Sequence, residues 1–491
     1  MLETGVPNLD LILGGGLAKT DVLLIVGPAG AGKTLLSLQI AFHAASAGQN
    51  VVYVSTLSEN PNRLLRHIRS FSFCEESLIG KSLYFLSIFP LIKEGLGKVT
   101  DALIAAVKER QARLVIIDGI MTFRDLHPRA TELRMFIYEL GAILPDLDAT
   151  VILTSSGPEM WGGHPFPEFT MSDSVLELGR EIIGTQSVRT IKSVKMRGLP
   201  HLAGQHSMRI DGSGITVLPR IESLFRPRDT GIRLERMPVG FPELDEMMHG
   251  GPLAGSSTLL AGALGVGKTL VSLQYIMEGV RRGEKGLYVS SRETPHQLVD
   301  KARLFQIDLE SAISSGQVLV LFHPAIDLVA DEVAWQVLSN VDRFAPQRVV
   351  LDGIAELEQA LGDARRRHGF MASLAAMLRD KGITSLFTKE IRQVVGPELD
   401  FSDTPLAVLA ENIVLLRYIE YRGELVHIIS ILKMRESAYD HSIREYAVTT
   451  AGLKVMSKLE SAEGLLTGIA RLPSEMRVKR ARKGAGPEEE A

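Results

Sequence analysis

Short apolar runs alternate with longer amphipathic stretches along each half of the chain. Val22–Val26 is a β-rich run, and a glycine-rich turn follows it. Leu35, Leu38, Ile40, Ala41, Ala44 and Ala45 then recur at helical spacing until Gly48 supplies a stop. Further buried-strand runs stand at 51–54, 114–117 and 151–153. The second half repeats the pattern at 259–261, 287–289, 349–351 and 384–387. Strands separated by helical stretches predict an α/β fold with a mostly parallel sheet between helices.

The alternation is an internal repeat. Residues 5–39 (GVPNLDLILGGGLAKTDVLLIVGPAGAGKTLLSLQ) and 240–274 (GFPELDEMMHGGPLAGSSTLLAGALGVGKTLVSLQ) match at 16 of 35 positions without a gap, 235 residues apart. NVVYVS at 50–55 answers KGLYVS at 285–290, and LVIIDG at 114–119 answers RVVLDG at 348–353. A period of half the chain is two copies of a domain, not a solenoid unit. Length alone, 491 residues, suggests about three domains; the repeat reduces this to two, at 1–225 and 226–462. The segment 223–236 is charged, contains Pro227 and Gly231, and reads as the linker. Residues 463–491 read as a mobile charged tail.

Composition narrows the classes. Net charge is −4, from 54 basic and 58 acidic residues, which gives no general pull toward nucleic acid or an anionic membrane. One cysteine, Cys74, excludes an internal disulfide framework and a cysteine-cluster zinc site. The twelve histidines are scattered, and no stretch approaches 18 uninterrupted apolar residues. With no basic region before an apolar run at the start, a cytoplasmic protein is expected.

Two segments carry chemistry. Gly27 through Thr34 and Gly262 through Thr269 both fit G-x-x-x-x-G-K-[ST]. Gly27, Gly30, Gly32 and their counterparts Gly262, Gly265 and Gly267 let the backbone curl around phosphate oxygens. The helix opening through Ala31 to Leu35, and through Val266 to Leu270, turns its positive end toward the anion. Lys33 and Lys268 would reach the β- and γ-phosphates of ATP, and Thr34 and Thr269 would place hydroxyls on Mg²⁺. Asp118 and Asp352 end apolar strands 85 and 84 residues after the lysines. They are expected to hold the same Mg²⁺; the alternative is a carboxylate capping the turn that Gly119 or Gly353 makes.

These residues resemble the KaiC family of tandem RecA-type ATPases. The resemblance spans about residues 4–460 and includes both Lys-Met-Arg runs (195–197, 433–435), IVLLRYIEYRGE at 413–424 and SIREY at 442–446. It implies two RecA-like P-loop domains, ATP and Mg²⁺ as ligands, and a homohexamer with ATP between subunits. It further implies that Lys195, Arg197 and His201, and Lys433 and Arg435, reach a neighbour's γ-phosphate. Tyr439 stands where the second ring would have histidine. Family members carry paired glutamates after the second strand, one of which activates the nucleophile; here the pairs are Ser58-Glu59 and Arg292-Glu293, leaving Glu59 and Glu293 as the candidates. The family's phosphorylated Ser-Thr pair aligns with Ala407-Val408, with Ser402 and Thr404 nearby. The resemblance thus implies an ATPase ring that signals to a protein partner, with the tail a candidate docking segment. A Ser/Thr autokinase, an ATP-gated scaffold without catalysis and a DNA-associated ATPase remain as alternatives. The net charge weighs against the last, and the basic run at 471–483 is its only local support.

Overall fold

The computed structural model describes residues 1–458 apart from 57–60, 127–129, 157–159, 162–163, 166, 184–185, 227–230, 232, 392–404, 422–423 and 451. The chain divides into two compact units, Met1–Leu224 and Phe225–Ala491. The ends of the expected linker are structured: Ile221–Leu224 is a short helix, and Arg236 pairs with Leu253. Among the described residues no helix is long and apolar enough to cross a membrane.

In the first unit the central strand Val22–Val26 lies between Thr150–Ser155 and Ser174–Ile183, parallel to both. Leu114–Asp118, Val51–Ser55 and Leu83–Ser87 continue the sheet on one side, all parallel. Gln186–Met196, Gln205–Asp211 and Gly214–Leu218 continue it on the other side as antiparallel hairpins. Side chains along the central strands alternate between two cores. Leu23, Ile25, Tyr53 and Ile116 pack with the helix Lys33–Ser46. Val22, Leu24, Val54 and Ile117 pack on the other face with the helices Leu96–Arg110 and Ala130–Asp146. Because both faces are covered, the strands read as continuous apolar runs.

The second unit repeats this order. Ser257–Gly262 lies between Thr384–Glu390 and Asn412–Tyr421, both parallel to it. Arg348–Asp352, Gly286–Ser290 and Val318–Phe322 follow on one side, and Glu424–Met434, Arg444–Thr449 and Gly452–Lys458 on the other. The α/β, mostly parallel expectation holds in both units. The outer parallel strands Leu83–Ser87 and Val318–Phe322 and the hairpin strands extend each sheet to nine.

Candidate functional site

Each phosphate loop leaves the C-terminal end of the central strand, where open α/β sheets bind ligands. Gly27, Gly30 and Gly32 adopt φ of 148°, 75° and 109°. A Cβ on Gly27 would stand 2.2 Å from the Leu178 carbonyl oxygen, and one on Gly262 2.6 Å from that of Leu416. The loops are therefore held against the neighbouring strand by glycine alone. Ala31 and Val266 are fully buried and anchor each loop to its core, as Leu270 does; Leu35 packs against the first core from a half-buried position. The helices begin at Lys33 and Lys268, so the first-turn N–H groups through Leu35 and Leu270 lie at the positive end of a helix dipole.

Both lysines fold back over their loops. Lys33 Nζ donates to the carbonyls of Gly27 (2.7 Å) and Pro28 (3.0 Å), and Lys268 Nζ to those of Gly262 (2.9 Å) and Ala263 (2.7 Å). Burial lowers both ammonium pKa values. Asp118 opposes this at Lys33, and Glu390 and then Asp352 oppose it at Lys268. Either ammonium can exchange carbonyl oxygens for phosphate oxygens.

The strand-end aspartates meet the loop threonines. Thr34 Oγ1 donates to Asp118 Oδ2 at 3.0 Å and Thr269 Oγ1 to Asp352 Oδ2 at 3.1 Å. Two further hydroxyls fix each carboxylate. Tyr53 Oη donates to Asp118 Oδ2 at 3.0 Å and Thr154 Oγ1 to Oδ1 at 2.5 Å; Tyr288 (2.6 Å) and Thr388 (2.5 Å) do the same for Asp352. Burial, reinforced by the adjacent carboxylate, pushes both tyrosines well above the usual phenol range, so they stay neutral donors. These four residues escape a sequence reading. The repeated tyrosine in YVS was visible, but a tyrosine in a buried strand first reads as core.

Among the described residues no three His, Cys, Asp or Glu side chains cluster as a metal site. A hydroxyl–carboxylate pair beside a glycine cradle instead suits Mg²⁺, which keeps several waters and takes phosphate oxygens as ligands. The residues present thus fit an Mg²⁺–triphosphate. In the second unit the cradle opens into a cavity of about 710 Å³, lined by Lys268, Thr269, Arg292, Glu293 and Asp352 at its polar end. Phe305, Tyr418 and His427 supply apolar and aromatic surface.

Glu293 stands in this cavity, paired with Lys301, and its Oε2 is buried without a partner. Glu59, with Ser58, lies outside the described residues, as do Ser402, Thr404 and the tail. Ala407 and Val408 lie on the short helix Pro405–Leu409 and carry no hydroxyl.

The basic residues of the Lys-Met-Arg runs are at the other end of each sheet. Lys195 pairs with Val175 and Lys433 with Ile413, near the start of the strands that flank the central one. Lys195 Nζ donates to Ser172 O at 2.5 Å, and Lys433 Nζ to Ala410 O at 2.7 Å. Burial, then the nearby Arg197 or Arg435, lowers each lysine's pKa. Arg197 pairs with Asp173 at 3.1 Å, and Arg435 donates to Val408 O at 3.4 Å. His201 follows in a half-buried loop. Tyr439 packs at a tilt against His441, with ring centroids 4.2 Å apart. About three residues of strand, roughly 10 Å, separate Lys195 and Lys433 from their own phosphate loops, and their ammonium groups point away from them.

A parallel sheet with a phosphate loop at its central strand, a threonine–aspartate pair beside it and antiparallel hairpins at one edge, built twice in one chain, defines a tandem RecA-like P-loop ATPase. The family described as "ATPase: KaiC" matches residues 2–222 and 237–460, and the chain belongs to that family. Its relatives include the circadian clock oscillator protein KaiC of Picosynechococcus sp., 28% identical over 479 residues, covering 95% of this chain and 92% of the relative. The KaiC of Rippkaea orientalis is 27% identical over 478 residues (95% and 91%), and KaiC 1 of Synechocystis sp. 26% over 479 residues (95% and 91%).

Proposed function

We propose that the protein is an Mg²⁺-dependent ATP hydrolase whose two sites in each subunit set the conformation of a homohexameric ring, read by a protein partner. The observation that carries this is the duplicated constellation of lysine, threonine and hydroxyl-fixed aspartate around each glycine cradle. The loop amides and Lys33 or Lys268 bind and orient the phosphates. Thr34 with Asp118, and Thr269 with Asp352, hold the metal. Mg²⁺ would neutralise charge on the transferring phosphoryl group. Glu59 and Glu293 are the proposed bases; Glu293 becomes available when Lys301 turns from its carboxylate. Lys195 and Lys433 lie about three strand residues, roughly 10 Å, from their own loops; with Arg197, His201 and Arg435 they are assigned to ATP held by a neighbour. That requirement is the argument for a closed ring. The tail at 463–491 is the proposed docking segment, and the compartment is the cytoplasm.

A second reading, an ATP-gated scaffold without turnover, draws on Glu293 being held by Lys301 and on Arg292 occupying the other carboxylate position. Light scattering after size-exclusion chromatography, with and without Mg²⁺-ATP, together with ADP release from the same sample, separates the two. A hexamer that releases ADP supports the hydrolase. A hexamer that holds ATP unchanged supports the scaffold. A monomer under all conditions rejects both.

A further inference from the structure

One matched set of three positions differs in charge between the two nucleotide sites. The matched set is read from the register both units share. Asp118 and Asp352 end equivalent strands, and four residues beyond them stand Thr122 and Glu356. Thr154 and Thr388 donate to those aspartates, and two residues further stand Ser156 and Glu390. The next helix after the second strand opens at Pro61 and at Pro295; three residues before it stand Ser58 and Arg292. The first unit thus has three hydroxyl residues where the second has an arginine and two glutamates.

The three charges meet at one point. Arg292 Nε donates to Glu356 Oε1 at 2.6 Å, and its Nη1 donates to Glu390 Oε2 at 2.6 Å. Arg292 and Glu390 line the phosphate cavity beside Lys268. Glu390 stands opposite Gly262, the first glycine of the cradle, in the sheet register. Of the carboxylates around Lys268, Glu390 acts on it most strongly. The other acids in the cavity have their own partners: Lys301 for Glu293, and Thr269, Tyr288 and Thr388 for Asp352. Among the described residues lining the cavity, Arg292 is the one paired with two carboxylates. Glu356 Oε2 is buried with no partner, so that acid has no second donor if the guanidinium leaves.

We propose that Arg292 is the counter-charge that lets the second site accept a triphosphate, screening Glu356 and Glu390 from the γ-phosphate, and that the first site dispenses with it because Ser58, Thr122 and Ser156 carry no charge. An uncompensated carboxylate beside a phosphate is repelled strongly at the low effective dielectric of a cleft. The γ-phosphate adds most of the charge that distinguishes ATP from ADP, so Arg292 sets the preference between them. The planar fork of arginine suits this task, because it holds both glutamates through separate N–H groups and keeps others free for phosphate. The proposal rests on the phosphate-site reading given above.

The test uses the full chain carrying Lys33→Ala, so that bound nucleotide reports the second site. Affinities for Mg²⁺-ATP and Mg²⁺-ADP are compared with Arg292 intact, with Arg292→Ala, and with the triple change Arg292→Ser, Glu356→Thr, Glu390→Ser, which copies the first site at these three positions. Arg292→Ala is expected to weaken ATP about tenfold more than ADP, and the triple variant to regain the parent's ratio. An unchanged ratio in Arg292→Ala overturns the proposal, as does a triple variant no better than the single one. A parent binding neither nucleotide overturns the phosphate-site reading and the proposal with it. A parent binding both, with a ratio blind to Arg292, overturns the proposal alone.

Discussion

Thr34 Oγ1 lies 3.0 Å from Asp118 Oδ2, a bond across 84 residues of sequence that joins the phosphate loop to the end of a different strand. Thr269 and Asp352 repeat it at 3.1 Å. The bond ties the loop to the sheet before any ligand arrives, and it presents one hydroxyl and one carboxylate to the same point.

That juxtaposition predicts how the site depends on metal. Asp118→Asn and Asp352→Asn keep the shape and one acceptor oxygen for the loop threonine but lose the charge. Each is expected to weaken Mg²⁺-supported ATP binding at its own site by about 10- to 100-fold, while binding measured in excess chelator changes little. Titration of a fluorescent ATP analogue at several Mg²⁺ concentrations reads this. Equal losses with and without Mg²⁺ would show that the aspartates act only as turn caps.

The loop glycines divide by what a methyl group would meet. Gly30 has φ of 75° and open space, the nearest atom being Arg180 Nη2 at 3.5 Å. Gly30→Ala is expected to cost about 1–2 kcal/mol from left-handed backbone strain alone. Gly27→Ala adds a collision with a backbone oxygen that cannot rotate away. Its cost should be larger, and the first unit's melting transition should fall further than in Gly30→Ala. Thermal unfolding of the full chain, followed transition by transition, ranks the two.

Much of this site was legible because each loop is a contiguous segment written twice, and the aspartates end apolar runs that periodicity finds unaided. The hydroxyls around them were not. Tyr53 and Thr154 reach Asp118 only because Val51–Ser55 and Thr150–Ser155 flank Leu114–Asp118 in the sheet. Strand order, not local pattern, brings them together. Arg292 read as a lost carboxylate. Its partners lie 64 and 98 residues downstream, and no spacing rule connects them. Of the hairpin strands from Ser174–Ile183 onward, only the end carrying the Lys-Met-Arg run is marked in the sequence of the first unit. One stretch of that hairpin faces solvent on both sides, so its burial runs irregularly and gives no clean apolar run.

The far-end basic residues predict complementation between subunits. A Lys268→Ala subunit cannot hold ATP in its second site but keeps Lys433 and Arg435. A subunit with Lys433→Ala and Arg435→Ala holds ATP but offers its neighbour no cation. Each alone should lose second-site turnover, by about 10³-fold if the cations work as trans-acting arginines do elsewhere. Mixed assemblies should recover a fraction, because some interfaces pair an intact loop with an intact Lys-Met-Arg run. ADP release from mixtures that add no activity beyond the two parents would place these residues in a structural role.

The phosphate lysines make stability and affinity respond to alkali in opposite directions. Burial is the largest influence on Lys33 and Lys268 and lowers both pKa values below that of a free lysine. Without nucleotide, the folded chain therefore carries the cost of burying a charge that the unfolded chain does not. That cost is present in full below the depressed folded pKa and vanishes as pH rises toward the unfolded value of about 10.4. Their contribution to apo stability accordingly improves with pH across this window. A bound triphosphate reverses the preference, because its oxygens favour the ammonium. Binding must then take up protons in the window, and ATP affinity must fall as pH rises through it. The phosphate itself does not titrate there, its second pKa being about 6. Calorimetry in two buffers of different ionisation enthalpy measures the proton uptake directly. ATP affinity that stays level as pH rises toward the unfolded value of about 10.4, with no proton uptake, would mean that neither lysine meets the phosphates.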